Sequence, residues 1–333
     1  MSETIGRGDI AAIRAEHGPW TAMAIDLPDG TTTRPPAADH RLRRLVQAAE
    51  DILPKPLSEC RVLDLACLEG HYAIEFAARG SKDVLGVDLR EGHLVKARFA
   101  AERLGLGNVR FAQADVRDLP AFAKEPFDLV ICSGILYHLE GADAVRLVHA
   151  IGAACRHLCL LDTYVGTKPN TAVRVDGRDY AGFRYTEHAP DASAGERLAD
   201  GWASVENVTS LWLTQEALLR AAGEGGFTTA MQIHLPGHPG LTYDRRCYAF
   251  LRGEPVTLRT SAATNAAGIA APAPENPFDL SPSQHHTGPA FRLAKKVLPQ
   301  GVKNAIKPAL RSAGVLKTQE ANPEVVRQSA GER

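Results

Sequence analysis

The chain has 333 residues, 44% hydrophobic and 23% charged, with a formal net charge of −1. That composition is ordinary for a soluble globular protein, leaves room for one large α/β domain with appendages or two small domains, and offers no overall attraction to nucleic acid. There is no basic-then-apolar leader and no apolar run of about 18 residues, so secretion and membrane spanning are not expected, and six scattered cysteines read as reduced cytosolic thiols.

Met1 to Gly18 carries one weak helical pattern, pointed by Ile10 and Ile13. Pro28-Asp29-Gly30 is a turn with a mechanism, since Pro fixes φ, Asp caps locally and Gly accepts positive φ; two short strands around it would make a hairpin. Asp39 to Ile52 reads as a helix with Asp39 as N-cap. Leu42, Leu45, Val46 and Ala49 share its buried face, while Arg41, Arg43 and Arg44 form a solvated one. Arg61 to Leu65 is a buried strand interrupted by Asp64, followed by a tight turn to Gly70 and a helix from His71. Asp83 to Leu89 repeats the unit and ends on Asp88, where an acidic residue can accept hydrogen bonds from ribose hydroxyls.

Val109 to Ala114 is a third strand, ending at Asp115, and Phe127 to Ser133 is a fourth, apolar except for Asp128. A helix from Gly141 to Cys155 precedes a fifth strand, His157 to Thr163. Thr163 to Asn207 shows no sustained period and reads as a long loop, of the kind that is functional or disordered. A helix is expected from Trp212 to Ala222 with Thr214 as N-cap, then strands at Thr228 to Leu235 and Arg246 to Arg252. His234 and His238 lie four apart outside a helix, where that spacing does not face one ligand, so no metal is expected.

Four segments carry a resemblance: DLACLEGHYAIEFA from Asp64, VLGVDLREGHLVKARFAAERLG from Val84, FAQADVRDLP from Phe111 and FDLVICSGILYHL from Phe127. In order and spacing, across Val62 to Leu139, they resemble the class I methyltransferases that use S-adenosylmethionine (SAM). The resemblance implies an α/β fold, a Rossmann-like doubly wound seven-stranded sheet with a C-terminal antiparallel hairpin. It also implies SAM as cofactor, with Asp88 and Leu89 at the ribose, Asp115 and Val116 at the adenine, and the turn Asp64, Ala66, Cys67, Leu68, Gly70 together with Ser133 toward the methionine part. The family usually writes that turn Asp-x-Gly-x-Gly-x-Gly; here Ala66 and Leu68 replace two glycines. His138 is the candidate base, because an imidazole titrates near neutrality and the position falls beside the transferred methyl; Tyr137 lines the same wall. The segment Trp20 to Thr33 looks like the pre-domain flap of enzymes acting on the wobble uridine of tRNA.

The expected organisation is an N-terminal flap (1–38), a methyltransferase domain (39–253), a disordered linker (254–289), a basic amphipathic tail (290–318) and a disordered terminus (319–333). Phe291 to Lys317 has seven basic and no acidic residues, leaving −8 for the rest of the chain. Such a stretch fits a protein partner or the inner face of a membrane for an otherwise cytoplasmic protein. The expected reaction is methyl transfer to oxygen or nitrogen of a small-molecule or glycan-type acceptor, with nucleic acid not expected as a partner. The alternatives are a tRNA-modifying methyltransferase and a non-catalytic SAM-fold scaffold; a nicotinamide oxidoreductase is disfavoured because G-x-G-x-x-G is missing.

Overall fold

The computed structural model describes residues 10–35, 39–236 and 242–253, all within the first of the two units into which the chain divides, Met1–Asp279 and Leu280–Arg333. The expected linker, basic tail and terminus, and His238, lie outside the described residues. In chain order the helices are α1 Ile10–His17, α2 His40–Ile52, α3 His71–Ala78, α4 Glu91–Arg103, α5 Leu119–Phe122, α6 Gly141–Ala154, α7 Ala194–Ala199 and α8 Gln215–Glu224. The strands are β1 Arg61–Leu65, β2 Asp83–Asp88, β3 Val109–Gln113, β4 Phe127–Ser133, β5 Cys155–Tyr164, β6 Thr171–Val175, β7 Arg178–Thr186, β8 Thr209–Leu213, β9 Thr229–Ile233 and β10 Arg245–Leu251.

Seven strands form one sheet in the order β3-β2-β1-β4-β5-β10-β9, parallel through β5 and antiparallel from β10 onward. This is the doubly wound sheet with a closing hairpin expected from the sequence. Its central strands are apolar throughout because both faces are covered. Leu63, Leu65, Val130 and Cys132 pack under α6 and α8, whereas Val62, Leu129 and Ile131 pack under α2 and α3. Helix α2 begins as expected, with the Asp39 carboxylate accepting from Leu42 N at 3.0 Å. The two helices over the first face approach so closely that a Cβ on Gly152 would stand 2.0 Å from the Gly225 carbonyl oxygen. Gly152→Ala should therefore cost about 1–3 kcal/mol of stability through overpacking, read as a lower denaturant midpoint at unchanged slope.

Four expectations are corrected. The stretch after β5 is not an unpatterned loop: β6, β7 and β8 make a second, three-stranded antiparallel sheet. Its first hairpin turns on Asp176 and Gly177, both at positive φ (49° and 81°), as a two-residue hairpin loop requires. Trp212 belongs to β8, not to a helix; α8 starts at Gln215, after the Thr214 cap whose hydroxyl accepts from Ala217 N. The segment around Pro28-Asp29-Gly30 closes through a single bridge, Asp26 to Thr32, and forms no strands. Arg41 does not face solvent with its neighbours; its Nε lies 3.4 Å from the fully buried Asp162 carboxylate.

Candidate active site

A cavity of about 750 Å³ opens at the carboxyl ends of β1, β2, β4 and β5, the position where open α/β sheets bind ligands. Of the residues singled out in the sequence, Ala66, Leu68, Asp88, Leu89, Asp115, Val116, Ser133, Tyr137 and His138 line it. Asp64, Cys67 and Gly70 lie behind its wall. Asp64 is buried, accepts from Ala73 N at 3.1 Å, and has its carboxyl pushed up to about 8 by that burial. Burial also pushes the Cys67 thiol up, so it is a poor nucleophile. Gly70 has φ 80°, and a Cβ there would meet the Phe111 ring at 2.7 Å. Glycine is needed at that place for conformation and for packing.

The turn keeps a left-handed backbone without its usual glycines: Ala66 has φ 53° and Leu68 φ 48°. The left-handed region costs an L-residue about 1–2 kcal/mol, against about 0.5–1 kcal/mol of extra chain entropy for glycine. Ala66→Gly should therefore stabilise the fold by about 0.5–1 kcal/mol, measurable in urea unfolding. What holds the turn is Asp88. Its Oδ2 accepts from Leu68 N at 3.0 Å, and its Oδ1 accepts from Arg90 N at 2.9 Å. Asp115 is held in a similar way, its Oδ1 accepting from Arg117 N at 2.9 Å.

Glu69, in the same turn, was not singled out from the sequence. It is buried, with Oε1 accepting from Thr21 N at 3.0 Å, Thr21 Oγ1 at 2.8 Å and Lys96 Nζ at 3.0 Å. Burial alone would raise its carboxyl; Lys96 and the Thr21 donors outweigh it and hold the group at about 2. The pair fastens residues 20–34 over the turn, helped by Arg34, which donates to the carbonyls of Thr21 and Ala22. Ala22 and Met23 thereby become part of the cavity wall.

The second sheet supplies the opposite wall. His138 Nδ1 lies 3.0 Å from Glu187 Oε2 and 3.1 Å from Oε1. Glu187 is itself fixed by Ser210 Oγ, donating at 2.6 Å, and Ser204 N, donating at 3.2 Å. Burial would raise the Glu187 carboxyl, but the hydrogen bonds from His138, Ser210 and Ser204 prevail and hold it below its ordinary range. Behind His138 stands an aromatic ladder. Tyr164 stacks on Trp212 at 4.8 Å, Trp212 on Tyr185 at 4.7 Å, and Tyr137 meets Tyr164 edge-on at 4.8 Å. Arg245 lies over the rings of Tyr137 and Tyr164 and is bound to Asp162 at 2.6 Å.

Glu187, Tyr164, Tyr185, Trp212, Arg41 and Arg245 all line the cavity, and none was singled out as a site residue from the sequence. Among the described residues no three potential metal ligands come together, and no helix is long and apolar enough to cross a membrane.

The donor set fits a nucleoside with a charged tail. The Asp88 and Asp115 carboxylates, the apolar Leu89 and Val116, and the strained turn with Ser133 and Gly134 all line the cavity, with Asp88 bonded directly to the turn at Leu68 N. The volume is within the roughly 300–1,000 Å³ of small-molecule pockets.

Residues 62–157 match the family model of a methyltransferase domain. A tRNA U34 carboxymethyltransferase of Idiomarina loihiensis is 26% identical over 230 residues, covering 64% of this chain and 68% of that one. A ubiquinone biosynthesis O-methyltransferase of Acinetobacter baylyi is 35% identical over 79 residues, and there the chain spans only a third of its relative's length, 33%, and matches with 24% of its own. Among solved structures, the N-terminal domain of EvdMO1, crystallised in the presence of SAH and D-fucose, superposes with a TM-score of 0.58 at 22% identity. That match covers 76% of this chain and 98% of that one, and supports the fold. With that sheet order, that site and that match, the chain carries a class I S-adenosylmethionine-dependent methyltransferase domain.

Proposed function

We propose that the protein methylates a hydroxyl group of a small, neutral acceptor of sugar type, with His138 as general base. The observation that carries this reading is the contact of His138 with Glu187. A carboxylate can only accept, so it fixes the imidazole proton on Nδ1 and leaves Nε2 as an acceptor. A hydroxyl acceptor must lose a proton on methylation, and a poised imidazole removes it.

When bound, S-adenosylmethionine supplies an electrophilic methyl on a sulfonium, whose departure as a neutral thioether needs little assistance. Asp88 and Asp115 would hold the nucleoside, and the 64–70 turn with Ser133 would face the methionine part. His138 Nε2 takes the hydroxyl proton as the acceptor oxygen bonds to carbon, and Glu187 stabilises the imidazolium that results. Tyr137, Tyr164 and Trp212 wall the reacting groups from water, and their aromatic faces suit the apolar face of a sugar ring.

Seven carboxylates line the cavity against four arginines. That balance favours an uncharged acceptor over a polyanion. A tRNA acceptor is the second reading, supported by the similarity to the U34 enzyme and by the 20–34 segment in the wall.

Two experiments decide. Calorimetry should show micromolar binding of S-adenosylhomocysteine that is lost in Asp88→Ala. Transfer of labelled methyl should then be assayed against hexoses, glycosides, nucleoside-diphosphate sugars and bulk tRNA. Label in tRNA alone would reverse the order of the two readings, and no label in any hydroxyl acceptor would overturn the first.

A further inference from the structure

The cofactor end and the base are joined by one stretch of chain. Every residue from 200 to 207 lines the cavity, so this stretch forms a strap along its wall. It is held from two sides. At the nucleoside end, Arg90 donates to the carbonyls of Leu198 at 3.4 Å, Asp200 at 2.7 Å and Ala203 at 3.1 Å. Arg117, paired with Asp115, also reaches Glu206. At the other end, Ser204 N donates to Glu187, and Asn207 Nδ2 donates to the His138 carbonyl at 3.0 Å. Ser204 and Asn207 are locked together by Asn207 N donating to Ser204 Oγ at 3.2 Å.

Both arginines sit two residues beyond the carboxylates assigned to the nucleoside, and each gives its backbone amide to that carboxylate. A ligand that engages Asp88 therefore acts on the same short turn that aims the Arg90 guanidinium. Arg90 does not spend its fork on a carboxylate. Its hydrogen bonds go to three carbonyls of one segment, and a rigid planar donor set can meet three fixed acceptors in only one arrangement.

We propose that Arg90 is a positioning residue for His138, transmitting occupancy of the nucleoside end at Asp88 through the 198–207 strap to the Glu187–His138 pair. The proposal rests on the reading of His138 as base. Docking of the strap and binding of the nucleoside then favour each other, and by linkage each strengthens the other by the same factor. Conversely, a nucleoside site emptied of ligand leaves the base less ordered.

The test uses the full chain with S-adenosylhomocysteine as probe and needs no acceptor. Wild type, Arg90→Ala and Arg90→Lys are compared by calorimetry, by hydrogen exchange over residues 187–210, and by the hydrogen-bonded Nδ1–H signal of His138, assigned through His138→Gln. In wild type the probe should slow exchange across the strap and sharpen the His138 signal. In Arg90→Ala affinity should fall about tenfold, and both probe-dependent responses should vanish. Arg90→Lys keeps the charge but offers no planar fork, so it should lose the same responses even if the alanine variant fails to fold. Wild-type affinity with undiminished strap protection and His138 signal in the lysine variant would overturn the proposal. So would loss of protection that is equal with and without the probe at unchanged affinity, since Arg90 would then be only a tether. Failure of the base reading shows elsewhere: His138→Gln would retain methyl transfer, whatever the exchange data say.

Discussion

Replacing His138 by glutamine should lower methyl transfer by about 10²–10⁴-fold, the usual contribution of a positioned general base, with the affinity for S-adenosylhomocysteine falling by no more than about tenfold. Glu187→Gln should fall into the same range despite its near-identical shape. An amide can donate where the carboxylate could only accept, so the imidazole proton is free to move to Nε2 and the base is lost. The pH dependence follows from the Glu187 carboxyl, which His138, Ser210 and Ser204 hold below its ordinary value despite burial. A depressed carboxylate contributes stability above its unfolded pKa of about 4.3 and loses it as pH falls through the folded value. The pair should therefore survive mild acid and fail only below the ordinary carboxylate range. Denaturant unfolding of wild type and Glu187→Gln from about pH 3 to 8 checks this, and single-turnover rates of wild type and both variants at one pH above neutrality test the base; a Glu187→Gln rate equal to wild type would remove Glu187 from the mechanism.

The largest effect on stability is expected at Glu69. Its charge is buried against Lys96, itself buried, and removing one partner of such a pair costs about 3–5 kcal/mol because the other is left uncompensated. Glu69→Ala should lose stability in that range, and Lys96→Met somewhat less, since Thr21 and Ala22 still donate to the carboxylate. The double variant Glu69→Gln with Lys96→Met should recover part of the loss, because neither charge then remains buried. Chemical denaturation of wild type, Glu69→Gln, Lys96→Met and the double variant measures this coupling. The sign with pH is again that of a depressed carboxyl: the contribution is present above about 4.5 and fades as pH falls toward about 2. Loss of the pair should also free Trp20, buried and 6.0 Å from Phe99, so its fluorescence reports release of the wall that Ala22 and Met23 contribute.

The parts of this fold that were legible are those whose patterns are local. Strands β1, β2 and β4 are covered on both faces, so they are written as continuous apolar runs, and Asp88 and Asp115 follow directly from where two strands stop. The second sheet is half exposed, with alternating burial along β6 and polar residues along β7, and gives no such run. One signal was available: Asp176-Gly177 between Val-Arg-Val and Arg-Asp-Tyr is a strong hairpin dipeptide. In sequence Trp212 reads as part of the following helix because Leu211, Trp212 and Leu213 continue its apolar character without a break before Thr214. Glu187 could not be found locally, since its partner His138 lies 49 positions earlier and only the return of β8 alongside Leu139 brings them together. Glu69 was hidden for the same reason: its ligands come from residues 21, 22 and 96.

The second sheet leaves and rejoins its host at neighbouring points, with Gly166 N donating to the Leu213 carbonyl at 2.9 Å. A piece whose two ends are already paired can grow, shrink or be replaced with little change in the entropy of closing the chain, while the seven-stranded sheet beneath keeps its register. That piece carries Glu187, Tyr185 and Trp212 together. Exchanging it between relatives would thus transplant acceptor choice and base orientation as one cassette, leaving the methyl donor's half of the site as a common chassis.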